Sequence, residues 1–342
     1  MSFWLLVPAI CALSFALTAI LRRYALASSM LDVPNHRSSH TVPTPRGGGV
    51  SIVVTFLLSL VTVKTGGFID FSFFLGATGA GLLVAVIGFM DDHGHIAARW
   101  RLLGHFAAAV WILVWIGGLA PIVILGFTFD LSWAGNVLAL FYLVWLLNLY
   151  NFMDGIDGIA SVEAISVCLS ACLFYWLDGH HALIWGPLLL AMSVLGFLFW
   201  NFPPAKIFMG DAGSGFLGII LGILSLQAAS ADPRYLWVWL ILLGVFIVDA
   251  TFTLLRRLLR GDRVYEAHRS HAYQYASRQF GQHLPVTVAT ALINLLWLLP
   301  IASCVVYLGL DGMLGVLIAY IPLLLVAVKF HAGELEGKDV VR

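Results

Sequence analysis

The sequence predicts an all-α, polytopic membrane protein of about 11 transmembrane helices, with the N-terminus outside and the C-terminus in the cytoplasm. Three observations support this fold class: the apolar composition, the lengths of the apolar runs and the placement of the basic residues. Of 342 residues, 61% are hydrophobic and 11% are charged, and the mean hydropathy is +0.96. A soluble domain carries about 25% charged residues, so a water-soluble chain of this length could not bury so much apolar surface.

Each predicted span is an apolar run of about 20 residues, within a range of roughly 17–25 that crosses the hydrocarbon core of a bilayer. A short apolar stretch with Pro121 and Gly126 separates the fourth run from the fifth. In order along the chain, the eleven runs cover residues 3–21, 48–64, 73–90, 103–119, 133–150, 160–177, 183–200, 214–230, 236–255, 285–307 and 313–329.

Orientation follows from the Lys and Arg residues, since alternate loops hold all 18 of them except Lys64 and Arg234. The positive-inside rule therefore assigns these basic loops to the cytoplasm. No basic segment precedes the first span and Arg22 follows it, which indicates a retained helix rather than a cleaved signal peptide. We expect one integral membrane domain over residues 1–342, with cytoplasmic loops at about 22–47, 91–102, 151–159, 201–213 and 256–284.

The first cytoplasmic segment, DVPNHRSSHTVPTPRGGGV at 32–50, contains three prolines and three glycines, which rule out a regular helix. Arg37, His40 and Arg46 are candidates for binding an anion. The glycine run at 47–49 would permit close approach of the backbone to a ligand. An ordinary basic loop is the alternative.

The second segment, GFMDDHGHIAARWR at 88–101, places Asp91 and Asp92 at the end of the third span. The helix dipole disfavours anions at a C-terminus, and adjacent carboxylates repel each other. A bound cation would relieve both costs. The alternative is a pair of solvated carboxylates that pair with Arg99 or Arg101.

The third segment, NLYNFMDGIDGIA at 148–160, places Asp154 and Asp157 after the fifth span. Their spacing of three puts both on one face if a helix begins there. As an alternative, both could be favourable acids in the first turn of the sixth span. Asn148 and Asn151 on the preceding helix favour a polar site.

The fourth segment, NFPPAKIFMGDAGSGFLG at 201–218, places Asp211 before the eighth span, where an N-terminal Asp is ordinary. The GDAGSG run also leaves backbone N–H groups open at a helix N-terminus, which suits an anion. Lys206 and the aromatic Phe208 are close by in the sequence.

The fifth segment, RRLLRGDRVYEAHRSHAYQYASRQFGQ at 256–282, is basic and amphiphilic, and His268 and His271 flank Arg269. Two histidines at this spacing could bind a metal, but no third ligand is visible nearby, so contact with an anion or a sugar is favoured. The alternative is a basic surface helix on anionic lipid.

Asp249 lies inside the ninth span, where a carboxylate is functional by default. A pair with Arg256 or Arg257 is the modest alternative. The four cysteines all lie in apolar runs without a CxxC pair, so neither a zinc site nor a disulfide framework is expected.

Carboxylates, basic groups and glycine-rich loops on one membrane face point to a divalent cation and phosphate groups. Mg²⁺ is commonly bound by carboxylates together with substrate phosphates rather than by an all-protein cage. Such an ion neutralises a pyrophosphate and polarises the phosphorus under attack. The apolar spans would admit a lipid substrate from the side.

These segments give the chain a resemblance to the polyprenyl-phosphate N-acetylhexosamine-1-phosphate transferases of glycosyltransferase family 4, which initiate peptidoglycan and O-antigen lipid-linked sugar synthesis. The matching pieces occur in the family's order between residues 32 and 274. They are PNHRSSHTVPTPRGGG, GFMDD, NLYNFMDGIDGIA, NFPPAKIFMGDAGSGFLG and HRSHAYQ.

The resemblance implies transfer of a sugar 1-phosphate from a UDP-N-acetylhexosamine to undecaprenyl phosphate, with release of UMP, by a multi-pass protein of the bacterial inner membrane. Residues 1–342 would then form a single catalytic domain whose active site faces the cytoplasm. Mg²⁺ is the implied cofactor, with Mn²⁺ as an alternative. The lipid bilayer is a partner, nucleic acid is not, and a homodimer is left open.

The resemblance also assigns roles to residues. Asp211 is the implied Mg²⁺ ligand, and Asp91 and Asp92 match a catalytic pair that deprotonates or positions the lipid phosphate, with Asp91 assisting the metal. Phe208 matches an aromatic that stacks on uracil. The implied nucleotide-binding residues are Asn151, Asp154, Gly155, Ile156, Asp157, Asn201 and Phe208. The implied sugar- and phosphate-binding residues are Arg37, His40, Arg46, His268, Arg269 and His271.

Two differences favour the O-antigen or envelope-polysaccharide branch of the family over the peptidoglycan branch. The loop RSSHTVPTPRGGG differs from the lysine-containing, TMGG-type loop of the peptidoglycan enzyme, and His40 falls where that lysine would be. HRSHAYQ differs from the triple-histidine stretch of that enzyme. The expected sugar is GlcNAc or a 6-deoxy sugar such as FucNAc or QuiNAc.

Two other functions are alternatives for a membrane protein with acidic residues. A Mg-dependent membrane prenyltransferase would need two DxxxD-type acidic motifs, whereas the acids here read DDHGH and DGIDG. A transporter would show broken helices and polar groups near the bilayer midplane, whereas most acids here lie at the inner ends of the spans.

Overall fold

The computed structural model of the protein describes residues 3–34, 40, 42–94, 96–262 and 268–335. Arg37, one of the predicted anion-binding residues, lies outside this part of the chain. The described residues are mostly helical, and their α-helices are α1 (Leu6–Ala27), α2 (Val50–Thr65), α3 (Phe71–Gly94), α4 (Ala98–Ile116), α5 (Ser132–Met153), α6 (Ile159–Leu177), α7 (Trp185–Asn201), α8 (Asp211–Ala231), α9 (Arg234–Leu242), α10 (Gly244–Leu259), α11 (Ala272–Phe280), α12 (Leu284–Ile293), α13 (Leu299–Tyr307) and α14 (Gly312–Lys329).

The helices coincide with the predicted apolar runs, in the predicted order. Within the described residues, nine helical segments are long and apolar enough to cross a bilayer, and the bent pair α9 and α10 makes ten if it forms one span. α2 has 16 residues and is shorter than the others. The prediction of a mostly helical, multi-pass membrane protein is confirmed, while the count of eleven spans and their orientation stay predictions.

The ninth predicted run is bent by 70° between α9 and α10, whereas the sequence predicted one continuous span. A break leaves carbonyl groups of the first helix without intrahelical partners. Tyr320 of α14 donates its hydroxyl to the Leu240 carbonyl at 2.7 Å, and Gly244 leaves room for the same tyrosine ring. A neighbouring helix therefore satisfies the backbone where the span bends.

The tenth predicted run also departs from a uniform helix, because a π-helical turn at Asn294–Leu298 joins α12 to α13. Pro300 follows this turn, and proline has no N–H to bond the carbonyl four residues earlier. The wider turn accommodates the proline without ending the span.

Short strands form two antiparallel pairs in the loops. One pair, in the first polar segment, joins β1 (Leu31–Asp32) to β2 (Thr44–Pro45). The other joins β3 (Ile122–Ile124) to β4 (Phe127–Phe129) and occupies the apolar stretch between the fourth and fifth predicted spans. Two 3₁₀-helices, Phe3–Leu5 and His181–Ile184, precede α1 and α7.

Helix α8 is the centre of the bundle, since nearly all of its side chains are buried and α3 and α5 pack along it. The five polar segments meet at the end of the bundle where α8 begins. At the other end, Trp237 donates to the Val123 carbonyl at 2.9 Å and the Leu125 amide donates to Asp311 at 2.6 Å. Asp211, the first residue of α8, is therefore held at the centre of the polar end.

Candidate active site

A cavity of about 430 Å³ opens where the five polar segments meet. Most of the predicted site residues line it, although they come from distant parts of the chain. Those in the cavity wall are His40, Arg46, Asn151, Asp154, Gly155, Ile156, Asp157, Asn201, Phe208, Asp211 and His268. Asp91, Asp92, Arg269 and His271 are not among the lining residues.

Asp211 lies in the cavity wall as the first residue of α8. The Asn151 amide donates to its Oδ1 at 3.1 Å and also to the Ser214 hydroxyl at 2.9 Å. Arg101 of α4 lies 3.5 Å from the other carboxylate oxygen of Asp211 and forms an ion pair with Asp91. Arg101 therefore links the two acids that were predicted to act on the metal.

Asp91 ends α3 beside the cavity rather than in its wall. Its Oδ1 accepts the Ile96 amide at 2.7 Å, and its Oδ2 is paired with Arg101. The alternative pairing with Arg101 is therefore present for Asp91, but the side chain is only 10% exposed, so it is not a solvated surface acid.

Asp92 is buried behind the cavity, with its side chain 1% exposed. Its carboxylate accepts the Asp211 amide at 3.0 Å and the Ala212 amide at 3.2 Å, and it forms an ion pair with Arg46. The first N–H groups of a helix lack intrahelical partners and carry partial positive charge. Asp92 therefore caps α8 from a different helix, and the arrangement assigns it to the support of Asp211 and Arg46.

The third polar segment is a tight turn between α5 and α6. α6 begins at Ile159, so Asp154 and Asp157 lie before its first turn and are not first-turn acids of that helix. Gly158 precedes the helix with a φ of +73°, a conformation that favours glycine. Asn201 accepts the Gly158 amide at 3.0 Å and donates to the Ile207 carbonyl at 3.0 Å, so it ties this turn to the fourth segment.

Gly155 permits a close approach inside the protein. The Tyr273 hydroxyl donates to the Phe152 carbonyl at 2.9 Å, and a Cβ on residue 155 would overlap this hydroxyl. The glycine is therefore required by α11 packing against the turn.

Asp154 faces the cavity without a hydrogen bond or ion pair to its carboxylate among the described residues. Burial raises the pKa of this carboxyl well above its usual range, and the nearby Asp211, Asp92 and Asp157 carboxylates raise it further. The protonated, neutral form of the Asp154 carboxyl is therefore favoured until a positive group comes near.

The first and fourth segments are joined along their backbones. Phe208 donates its amide to the Pro45 carbonyl at 2.8 Å, and Gly48 donates to the Phe208 carbonyl at 2.9 Å. The His40 ring meets the Phe208 ring edge-to-face at 4.8 Å between centroids. Gly49 packs against the backbone of Gly213. Gly48 packs against Phe197 and Ile207, and Gly49 against the start of α8, so both glycines are needed for packing, while the approach of a ligand to the glycine run stays a prediction.

The fifth segment contributes one histidine to the cavity. The Nδ1 atom of His268 is 2.9 Å from the Ser270 hydroxyl, and its ring stacks on that of His271 at 4.9 Å. Burial lowers the pKa of His268 to about 3, with further lowering from His271 and Arg257, so the ring is neutral near pH 7. Arg269, between the two histidines, accepts a hydrogen bond from Arg278 through its backbone carbonyl.

Asp249 bonds the backbone of the same segment where α11 begins. Its carboxylate accepts the Ala272 and Tyr273 amides, each at 3.0 Å, and lies 3.3 Å from Nδ1 of His271. Asp249 thus caps α11, as Asp92 caps α8, and the expected alternative of a pair with Arg256 or Arg257 is not the arrangement found. His271 is turned towards Asp249 and is 3% exposed.

The cavity wall includes residues that the sequence motifs did not single out: Asp32, Met209, Gly210, Ser214, Gln274 and His283. Ser214 could have been found, since it lies three residues after Asp211 at the start of a helix and so shares its face. Gln274 ends the HRSHAYQ motif but was given no role, and no local pattern marks His283, because it reaches the cavity only through the packing of α12.

The oxygen ligands of the cavity bear on the predicted Mg²⁺. Among the described residues, no group of three or more His, Cys, Asp and Glu side chains converges as a metal cage. Mg²⁺ is usually held by one or two carboxylates together with waters and substrate phosphates. The Asp211 carboxylate, with Asp154 in the same wall, fits that mode of binding and does not fit a preformed all-protein site.

Comparison with known proteins gives consistent matches. The family model of Glycosyl transferase family 4 matches residues 74–229. A Bacillus subtilis protein named probable undecaprenyl-phosphate N-acetylglucosaminyl 1-phosphate transferase is 33% identical over 264 residues, covering 75% of this chain and 72% of that protein. The Thermotoga maritima undecaprenyl-phosphate alpha-N-acetylglucosaminyl 1-phosphate transferase is 29% identical over 274 residues, covering 79% and 80%.

A protein named for a different sugar phosphate is also similar. The phospho-N-acetylmuramoyl-pentapeptide-transferase of Streptococcus thermophilus is 29% identical over 239 residues, which cover 66% of this chain and 68% of that protein.

Proposed function

Since the chain belongs to the polyprenyl-phosphate N-acetylhexosamine-1-phosphate transferase family, we propose that it moves an N-acetylhexosamine 1-phosphate from a UDP-sugar to undecaprenyl phosphate. An oxygen of the lipid phosphate attacks the phosphorus attached to the sugar. The bond from that phosphorus to the bridging oxygen breaks, and UMP leaves with the bridging oxygen. The product is a lipid pyrophosphate-linked sugar.

One observation carries this proposal: a single cavity gathers carboxylates, the Arg46 guanidinium and an aromatic ring from four of the five polar segments. The remaining segment, 88–101, holds Arg46 through Asp92 and reaches Asp211 through Arg101. Asp211 and Asp154 lie in one wall, Arg46 reaches in from the first segment, and Phe208 and His268 complete the lining. Acids for a metal, cations for phosphates and a ring for a base are the groups that a nucleotide-sugar phosphotransferase needs.

Asp211 is the proposed Mg²⁺ ligand, in combination with the phosphates of the substrate. The bound ion would neutralise charge on the pyrophosphate and make the phosphorus more electrophilic. Arg101 lies between Asp91 and Asp211, and we propose that it holds the incoming lipid phosphate, with Asp91 as the candidate base. Asp92 acts by holding the start of α8 and the Arg46 guanidinium.

The nucleotide end of the site is proposed at the turn of residues 154–158, with Phe208 as the ring on which uracil stacks. Asn201 frames this end through its two hydrogen bonds. His40 lies against Phe208 and would meet the nucleotide, whereas His268 of the fifth segment would meet the sugar or its phosphate.

We place the cavity on the cytoplasmic face of a bacterial inner membrane, because the loops that form it carry most of the Lys and Arg residues. Apolar side chains of Phe89, Met90 and Trp100 are exposed beside Asp91 and Arg101. A lipid phosphate in the inner leaflet could therefore reach these groups while its prenyl chain stays in the bilayer.

The first sugar to test is GlcNAc, because two similar proteins are named for transfer of N-acetylglucosamine 1-phosphate. From the arginine-containing first loop we also propose that the reaction initiates O-antigen or another envelope polysaccharide. FucNAc and QuiNAc remain the alternatives within that branch.

The experiment is a panel of UDP-sugars offered to the purified protein with labelled undecaprenyl phosphate and Mg²⁺. We expect one N-acetylhexosamine to give a lipid pyrophosphate product and UMP, and we expect EDTA to stop the reaction and Mg²⁺ or Mn²⁺ to restore it. UDP-N-acetylmuramoyl pentapeptide represents the peptidoglycan branch in the panel and should give no product. Absence of product from every sugar, with protein that is folded by thermal melting, would reject the enzyme assignment.

A further inference from the structure

A histidine outside the predicted site residues contacts the turn at the nucleotide end of the cavity. His283 lies just before α12, and its Nδ1 atom is 3.1 Å from Oδ1 of Asp157. Its ring lines both the main cavity and an adjoining cavity of about 550 Å³, which also includes Phe208 and Asp157 in its wall. His283 therefore occupies the boundary between two connected spaces at the end where we propose the nucleotide binds.

The start of α12 holds the main chain of the turn as well as its carboxylate. Thr287, one helical turn after His283, donates its hydroxyl to the Asp157 carbonyl at 2.8 Å. The second carboxylate oxygen of Asp157 accepts the Ala205 amide at 3.0 Å. Each oxygen of Asp157 therefore already has a protein partner, and the residue links the turn to α12 and to the fourth segment.

Whether Nδ1 of His283 carries a proton determines which group of Asp157 it bonds. Without a proton, Nδ1 accepts a hydrogen bond from the Asp157 amide at 3.3 Å; with a proton, it donates to the carboxylate oxygen, which is nearer at 3.1 Å. An unprotonated Nδ1 would turn a lone pair towards the carboxylate, whereas a protonated one donates to it. Hydrogen bonds to a carboxylate are the stronger kind, so the Nδ1–H form is favoured.

We propose that His283 is a positioning residue for the nucleotide end of the donor site: it fixes the Asp157 carboxylate and so the shape of the turn at 154–158. This inference rests on the proposed function, since it assigns a nucleotide sugar to the cavity. His283 acts through Asp157 rather than on the reacting phosphorus. Its loss should therefore weaken donor binding and leave the chemical step largely intact.

The first test is steady-state kinetics with the UDP-sugar that the panel identifies, which we expect to be UDP-GlcNAc. His283→Ala should raise KM for the UDP-sugar about tenfold, as expected for loss of a hydrogen bond to a charged group, with kcat and KM for undecaprenyl phosphate within about twofold. His283→Asn, whose amide nitrogen can take the position of Nδ1, should recover most of the loss. His181→Ala, at the opposite end of the molecule, is the matched control.

A double-mutant cycle separates action through Asp157 from a direct contact with the donor. If His283 works through Asp157, then His283→Ala in the Asp157→Asn background should add less than about twofold to KM, because coupled residues do not give additive effects. Additive losses, or a loss of kcat with unchanged donor KM, would overturn the positioning role.

Amide hydrogen exchange tests the same inference without any substrate. In the ligand-free protein, His283→Ala should speed exchange in peptides that cover residues 154–162, and His283→Asn should restore protection. Unchanged exchange in His283→Ala would overturn the inference even if the protein proves to act on a different donor. Faster exchange together with a failed transferase assay would instead support the positioning of the turn by His283 and would reject the proposed donor.

Discussion

At the residue scale, the aspartates around the cavity divide by how many partners each carboxylate has. Asp92 and Asp249 each accept two backbone amides at a helix start and pair with a basic side chain or a histidine. Asp157 is held from two sides. Asp211 and Asp154 face the cavity with fewer partners, so they are the acids with capacity left for a cation or a substrate.

Replacing Asp92 tests its assignment as a support. Asp92→Asn keeps the size of the side chain but removes the charge that pairs with Arg46 and caps α8. Loss of one member of a buried pair together with weakening of a helix cap should lower the free energy of unfolding by roughly 2–4 kcal/mol. Thermal melting of the purified protein in detergent measures this. An unchanged melting temperature combined with lost turnover would show instead that Asp92 acts directly in the reaction.

Asp154 gives the protein a pH dependence of known sign. Because its pKa is higher in the folded protein than in the unfolded chain, the folded state binds more protons between the two values, and stability falls as pH rises through that window. Asp154→Asn removes the ionisable group, so the ligand-free variant should melt at a higher temperature than wild type at pH 8 and at a similar temperature near pH 4. Melting curves over this range check the prediction, and a variant that is less stable at pH 8 would contradict it.

At the element scale, two helices that position site residues, α8 and α11, receive their caps from another helix. Asp92 at the end of α3 caps α8, and Asp249 inside α10 caps α11. The first cap sets the position of Asp211, and the second sets that of the segment bearing His268. The relative placement of helices therefore controls the separation of Asp211 from the segment that bears His268.

A glycine controls the distance between α3 and α8. A Cβ on Gly88 would lie 2.5 Å from the backbone oxygen of Asp211, so Gly88→Ala must push the two helices apart where Asp92 caps α8. We expect a loss of about 1–3 kcal/mol in stability and reduced turnover, since overpacking displaces the backbone. Gly94→Ala in the same helix meets nothing within 4 Å and is the matched control. Equal melting temperatures for the two variants would contradict the close packing.

The elements were predictable to different degrees. Hydropathy located the helices because each span is an apolar run of limited length, and the described residues between Leu31 and Gly49 form no helix, as the glycine and proline content predicts. The 70° bend between α9 and α10 could not be read locally, since it depends on Tyr320 of a distant helix. The π-helical turn before Pro300 has a local cause, the proline, but a proline in a helical sequence could equally produce a kink.

At the scale of the whole molecule, the bundle brings five sequence segments to one end and so makes a site that no segment contains. The sequence predicted which segments take part, because their acids and basic residues alternate with apolar runs. It did not predict the division of work among the acids, since Asp91 and Asp92 are adjacent in sequence but face Arg101 and α8 respectively. His283 was missed because it reaches Asp157 across more than a hundred residues of chain.

The central claim is that this cavity transfers a sugar 1-phosphate, which positional labelling of the donor tests most directly. Two samples of the accepted UDP-sugar are used, one radiolabelled at the phosphate attached to the sugar and one at the phosphate attached to uridine. In the presence of undecaprenyl phosphate and Mg²⁺, the first label should enter the lipid fraction and the second should appear in UMP. Asp211→Asn should reduce transfer by about a thousandfold, because loss of the proposed metal ligand would remove several kcal/mol of transition-state stabilisation, whereas Asp70→Asn, at the end of α3 away from Asp91, should not. Both labels released together as UDP, or full transfer by Asp211→Asn, would contradict the account.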